Sequence, residues 1–237
     1  MRFRWILIAA LILGACVGLA AQQNQSSPAK KAQPETVQGR ADVLKSTWGD
    51  KTEVLMKGNV TFTSDDTVMK SDMVTYDKKT KSANSPGKLS ITSPDADITG
   101  DKGTADFNKR LGVIVGNVKM LVKPKPEDQA GTDSESVRSK LTKPTTITCS
   151  KLEYLYKDKI ATATGGVQFQ QDKRKASAQK AVYDLNRELL VLTGEVKGVD
   201  EDGQTFSAPS VRISLKKGDE WMEAEHADAT FKIDLDE

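Results

Sequence analysis

Gly194-Glu195-Val196 has four echoes upstream: Gly165-Gly166-Val167, Gly116-Asn117-Val118, Gly87-Lys88-Leu89 and Gly58-Asn59-Val60. From the first glycine to the last the steps are 29, 29, 49 and 29 residues. Equal steps with one long one mark an internal repeat carrying a single insertion. The excess of 20 residues fits the polar stretch from Lys123 to Pro144. A second landmark, an aromatic followed by a polar turn residue, precedes each later glycine by 11, 9, 9 and 11 residues: Tyr76-Asp77, Phe107-Asn108, Tyr156-Lys157 and Tyr183-Asp184. Between landmarks the chain alternates and is rich in Val, Thr, Ile, Tyr and Phe. Short polar clusters such as Asp77-Lys78-Lys79, Asn108-Lys109-Arg110 and Asn186-Arg187-Glu188 interrupt it.

This pattern predicts strands rather than helices. Twelve are expected, near 42–48, 51–63, 67–77, 81–93, 97–108, 111–122, 145–157, 160–171, 174–185, 188–199, 204–215 and 221–233. Each period is two strands, with its glycine in the middle of one. A mid-strand glycine marks a bulge or sharp bend, so five bends in register describe a long sheet folded along one line. The Pro-x-Pro run Lys123-Pro124-Lys125-Pro126 predicts that 123–144 is an exposed loop.

Residues 1–21 read as an export leader: Arg2 and Arg4 form a basic start and Ile6 to Leu13 an apolar run. Leu13-Gly14-Ala15-Cys16 has the form of a bacterial lipobox, which makes Cys16 a candidate lipidation site. Cleavage near Ala20 or Ala21 and an uncleaved anchor over 5–21 are the competing readings. All three export the chain from a bacterial cytoplasm. Residues 22–40, rich in Gln, Ser, Pro, Lys and Ala, read as a flexible tether, and 41–233 as the repeat domain.

Hydrophobic content is 37%, below the roughly 45–50% of globular chains, which argues for a thin or elongated core. Of 35 basic residues, removing Arg2 and Arg4 leaves 33 against 33 acidic ones. That balance gives no footprint for nucleic acid. Loss of Cys16 with the leader would leave Cys149 unpaired, so no disulfide framework is expected.

No catalytic constellation emerges, and the chain is read as a non-enzyme without cofactor or metal. In Glu223-x-Glu225-His226 a strand would point His226 away from the two carboxylates. Cys149 has no neighbouring base. Gly165-Gly166 lacks the Lys-Ser/Thr of a phosphate-binding loop. Trp48 and Trp221 are expected to cap the ends of the core rather than stack on sugars. The distributed feature is an apolar stripe. Val60, Phe62, Leu89, Ile91, Phe107, Val118, Met120, Tyr154, Val167, Phe169 and Val182 either pack together or line a sheet that stays partly open to an apolar ligand. Parity is expected to flip at each bulge.

The repeat unit, Ala-x-x-(Ala/Met)-x-Tyr-Asp, a turn, then Gly-x-Val-x-Phe, resembles the OstA-like lipopolysaccharide-transport family (LptA/LptC-like periplasmic domains). Ala178-Gln179-Lys180-Ala181-Val182-Tyr183-Asp184 leading to Gly194-Glu195-Val196 carries it, with Met73-Val74-Thr75-Tyr76-Asp77 and the stretch from Thr104 to Met120. The resemblance implies an all-β, elongated, twisted and open β-jelly roll built from long antiparallel strands bent at mid-strand glycines. It implies a periplasmic carrier or bridge whose interior shields the acyl chains of lipopolysaccharide, or a related glycolipid, on the way to the outer membrane. The partners implied are other OstA-like domains, joined by edge-strand pairing, in the inner-membrane ABC transporter complex and the outer-membrane translocon. The insertion at 123–144 and the lipobox depart from the simple family pattern. A structural or adhesive β-repeat protein of the envelope with a fully packed core is the rival reading. A charge at Val167 or Phe169 is expected to block lipid binding and spare the fold.

Overall fold

A computed structural model describes residues 37–49, 52–64, 66–123, 143–216 and 218–230. The leader with Cys16, most of the tether and the body of the 123–144 loop lie outside the described residues. The described chain is all β. The strands are β1 (Gln38–Arg40), β2 (Val43–Ser46), β3 (Glu53–Ser64), β4 (Thr67–Asp77), β5 (Ser82–Ser85), β6 (Leu89–Thr92), β7 (Ala96–Gly100) and β8 (Lys102–Asp106). They continue as β9 (Leu111–Val122), β10 (Thr145–Leu155), β11 (Ile160–Gln171), β12 (Arg174–Asp184), β13 (Leu189–Val199), β14 (Thr205–Lys216), β15 (Asp219–Glu225) and β16 (Asp228–Thr230). All sixteen belong to one sheet, and every pairing is antiparallel.

Sixteen strands are twelve long ones, four of which break in the middle. The halves β1 and β2 both pair β3. In the same way β5 and β6 both pair β4, β7 and β8 both pair β9, and β15 and β16 both pair β14. The breaks fall opposite the bends of the unbroken strands. Sheet pairing begins at Gln38, within the stretch read as tether, because Gln38–Arg40 find the free edge of β3. Val122 pairs Thr145, so the insertion enters and leaves between adjacent strands without interrupting the sheet.

The bend line is built from glycine. β3 spends Gly58-Asn59 where β4 has Asp72 alone. β9 spends Gly116-Asn117 where β10 has Ser150, β11 spends Gly165-Gly166 where β12 has Gln179, and β13 spends Gly194-Glu195 where β14 has Pro209. Two residues opposed by one is a β-bulge. All eight bulge residues have φ between 45° and 82°, the left-handed region that glycine enters at no steric cost. The neighbouring strand folds a side chain over the glycine. Asp42 receives Asn59 Nδ2 at 2.8 Å and Asp101 receives Asn117 Nδ2 at 2.8 Å. Ser150 Oγ donates to the Gly165 carbonyl at 2.9 Å.

Gly87 departs from the pattern. It follows Pro86, which has no N–H for the ladder, and the strand there breaks outright between β5 and β6. A Cβ on Gly87 would meet open space, whereas one on Gly116 (φ 78°) would sit 2.6 Å from Asp101 Oδ2. Gly116→Ala is therefore expected to lower stability by about 1–3 kcal/mol, and Gly87→Ala to change it by less than about 0.5 kcal/mol. Urea denaturation of both variants checks this; equal midpoints would mean that Gly116 is not a bend residue.

Parity behaves differently from the expectation. The glycine strands keep theirs: Met56, Val60 and Phe62 of β3 all face inward. The partner strands flip instead, so Met69 and Ser71 but then Val74 and Tyr76 of β4 are buried, as are Ala178 and Ala181 of β12. The bulge adds a residue to the glycine strand, restoring its phase, while its partner turns the corner with one residue fewer. Both halves of every strand thus present an apolar face to the inside of one fold.

Candidate functional site: an apolar trough that opens along the sheet

Strand register places inner-face residues in rows that run across the sheet. One row passes from Gly39 through Phe62, Met69, Ile91, Ile98, Met120, Ile147, Phe169, Ala176, Gly198 and Phe206 to Ala229. Its burial changes along its length. Phe62, Met69, Ile91 and Ile98 are no more than 6% exposed. From Met120 through Ile147, Phe169 and Ala176 to Phe206 every member is half-buried.

A second row, from the other half of each strand, runs Val54, Tyr76, Ala83, Ala105, Gly112, Tyr154, Ala161, Tyr183, Leu190, Ile213 and Met222. Tyr76, Ala83, Ala105 and Gly112 are buried, and Tyr154 onward are half-buried or exposed. By contrast the row beside the bend stays closed throughout, with Val60, Leu89, Val118, Val167, Val196 and Ala208 at most 6% exposed. The interior is therefore sealed over β3–β8. Over β9–β15 it is a trough, dry along the bend and open toward the strand ends.

This sorts the expected lining residues. Val60, Phe62, Leu89, Ile91 and Val118 lie in the closed core. Phe107 packs edge-on against Tyr76, with ring centroids 5.9 Å apart, and belongs with them. Val167 is fully buried on the bend line. Met120, Tyr154 and Phe169 lie in the open part. Val182 is on the outer face, paired with Thr162 and Val191, because β12 flips its parity at Gln179. Ile147, Leu190 and Phe206 also pack against the core and do not stand out in the sequence as trough residues. Their signal was the cross-strand register, which one sequence does not display.

Tyr154 stands between Gly112 and Ala161, two small residues that leave room for its ring. Its hydroxyl is buried and has no hydrogen-bond partner among the described residues. Burial pushes its phenol up to about 12. The Tyr156 phenol is also pushed up by burial, with the nearby Arg110 cation acting against the shift. Burial raises the Cys149 thiol as well, and Cys149 packs into the core beside the bend.

The remaining sequence candidates fall outside the trough. Among the described residues Glu223 pairs with Arg212 at 3.2 Å, and His226 occupies the break between β15 and β16 with φ 52°. Neither tryptophan caps the core. Trp48 is 81% exposed, and Trp221 lies under the Arg212 guanidinium at 5.6 Å. Trp48 lies just beyond the end of β2 and Trp221 on β15, both at the edges of the sheet.

Two comparisons bear on the chain. Residues 145–219 match the family described as LptA/(LptD N-terminal domain) LPS transport protein. Solved structures that resemble the chain include LptH, the LptA-homologous periplasmic component of the conserved lipopolysaccharide transport device from Pseudomonas aeruginosa. It is 14% identical, with 70% of this chain and 96% of that chain covered and a TM-score of 0.35, a likeness too distant to add to the family match. No curated protein matches in sequence. The matched residues are β10 to β14 and the start of β15, which form most of the open trough, and over them the chain is similar to that family.

Proposed function

We propose that this chain is a non-enzymatic periplasmic carrier that shields the acyl chains of lipopolysaccharide, or a related glycolipid, in the trough over β9–β15. The observation that supports it most is the row from Phe62 to Phe206, which is apolar throughout yet buried only over its first four members, Phe62 to Ile98. An apolar face left uncovered costs free energy, and each acyl CH2 buried on it returns about 0.8 kcal/mol. The energy for directed movement would come from an ATPase elsewhere in the envelope.

The closed core over β3–β8 gives the rival reading, a packed structural repeat, half of the molecule. In the carrier reading that half is a rigid wall and the lipid path is confined to β9–β15. Both sheet edges are free among the described residues. Val43 and Leu44, at 54% and 66% exposure, lie on the first edge, and Met222, at 54%, on the last. Free edges of this kind accept further strands, so related domains of the inner-membrane complex and the outer-membrane translocon would extend the trough at either end. Export by the leader, with or without acylation of Cys16, would put the chain where these partners are.

Photocrosslinking tests the reading. A light-activated residue at Phe169 is expected to capture acylated glycolipid in intact cells, while the same residue at buried Phe62 or outer-face Val182 captures none. Absence of adducts at Phe169 in a folded protein would leave the packed-repeat reading standing.

A further inference from the structure

The turns along one rim of the sheet repeat a single design. Lys81, Arg110, Lys159 and Glu188 each end a hairpin turn in the left-handed conformation, with φ of 52°, 55°, 59° and 51°. They are separated by 29, 49 and 29 residues, the spacing of the glycines. Hydrogen bonds lock each turn to the next. Phe107 N donates to the Lys81 carbonyl at 3.0 Å, Tyr156 N to that of Arg110 at 3.1 Å, and Leu185 N to that of Lys159 at 3.0 Å. Asn108 and Asn186 add side-chain bonds to Thr80 O and Asp158 O, at 2.9 and 3.0 Å. Consecutive turns are two strands apart, so the cations follow one another at roughly 10 Å.

Three of the carboxylates of these turns are engaged locally, whereas Asp158 directly precedes Lys159 and Glu188 takes the fourth place in the row. Asp77 accepts from Lys79 N and Thr80 N at 2.7 and 3.1 Å. Asp106 takes Lys109 N at 2.9 Å and its ammonium at 3.1 Å, and Asp184 takes Asn186 N and Arg187 N. Among the described residues no carboxylate lies within ion-pair distance of Lys81, Arg110 or Lys159. The opposite rim differs: Lys123–Asp97, Lys143–Asp172 and Arg174–Glu201 are matched at 2.7, 2.6 and 3.2 Å.

Arg110 and Lys159 are half-buried. They precede by two residues the inner-face positions Gly112 and Ala161, which flank Tyr154. The Tyr154 hydroxyl, without a partner among the described residues, lies in one row with Tyr183, two strands away, and two residues before Tyr156, so tyrosines stand between the apolar trough and a row of cations. Tyrosines take this place wherever one end is apolar and the other wet.

We propose that Arg110 and Lys159 seat the phosphate-bearing headgroup of the amphiphile whose chains fill the trough, so that the lipid enters with its polar end at this rim. Cations carried on turns that are locked to one another suit a headgroup with more than one phosphate, as charge-assisted bonds to phosphate are stronger than neutral ones. The inference rests on the carrier reading and adds the direction of the lipid and the chemistry of its head.

Two probes separate the inference from that reading: an acylated, diphosphorylated diglucosamine and the same molecule without phosphates. Binding of each to the purified full chain is measured by displacement of a fluorescent fatty-acid probe at moderate salt. The wild type is expected to bind both, the phosphorylated form about tenfold more tightly. The double variant Arg110→Gln, Lys159→Gln is expected to lose that preference and keep its affinity for the dephosphorylated form. Lys119→Gln, Lys175→Gln, on exposed positions of β9 and β12, is expected to keep both. If the preference survives in the rim variant, or falls equally in the control, the headgroup seat is overturned while the trough stands. If neither probe binds the wild type, the carrier reading falls and the seat with it.

Discussion

Val167→Asp is expected to unfold the second half of the sheet. Val167 is fully buried on the bend line, directly after the Gly165-Gly166 bulge, and pairs Ala178. Its neighbours along the bend, Cys149, Ala178 and Val196, are buried and carry no group that pairs with a carboxylate. An ionised Asp there would lose its water and gain no partner, which costs several kcal/mol. The loss is expected to exceed about 4 kcal/mol, a large share of the 5–15 kcal/mol that holds a typical domain together. Urea denaturation followed by far-ultraviolet circular dichroism reads it, and a chain that folds with the wild-type midpoint would show that the corner is not packed. The expectation that a charge at this position spares the fold is therefore replaced. The reason is that Val167 lies at the closed bottom of the inner face, beside the bend, where no solvent reaches it.

Phe169→Asp, two residues further out, is expected to do the opposite. Phe169 lies between Ile147 and Ala176 in the half-buried part of the long row. A carboxylate here keeps contact with solvent, so stability is expected to fall by only about 1 kcal/mol. Acyl chains in the trough would have to strip that carboxylate of water, at several kcal/mol. Displacement of a fluorescent fatty-acid probe is expected to show affinity lower by more than about tenfold. An unchanged affinity in a folded variant would move the lipid path away from β10–β12. The pair of variants separates the two jobs of the inner face within one strand: residues beside the bend hold the fold, and residues nearer the rim meet the ligand.

Much of the architecture was written in local chemistry. The glycine spacing, the alternation and the aromatic-polar turn signals specify twelve long strands, because left-handed backbone and period-two burial are properties of a few adjacent residues. They also place the insertion between β9 and β10, where Val122 meets Thr145. Even Gly87, which breaks its strand instead of bulging it, carries its reason beside it in Pro86. What the tertiary structure alone decided is which faces are sealed. Phe62 and Phe169 stand in equivalent positions after their glycines, yet one is core and the other trough, since closure depends on strands far away in sequence. Val182 reads as lining and lies outside, because the parity of β12 is set by a bulge in its partners. The row of unpaired cations likewise needed the register, for only the stacking of turns separated by 28 residues or more brings Lys81, Arg110 and Lys159 into one line. Local sequence fixes how each strand bends; long-range pairing fixes what the bends enclose.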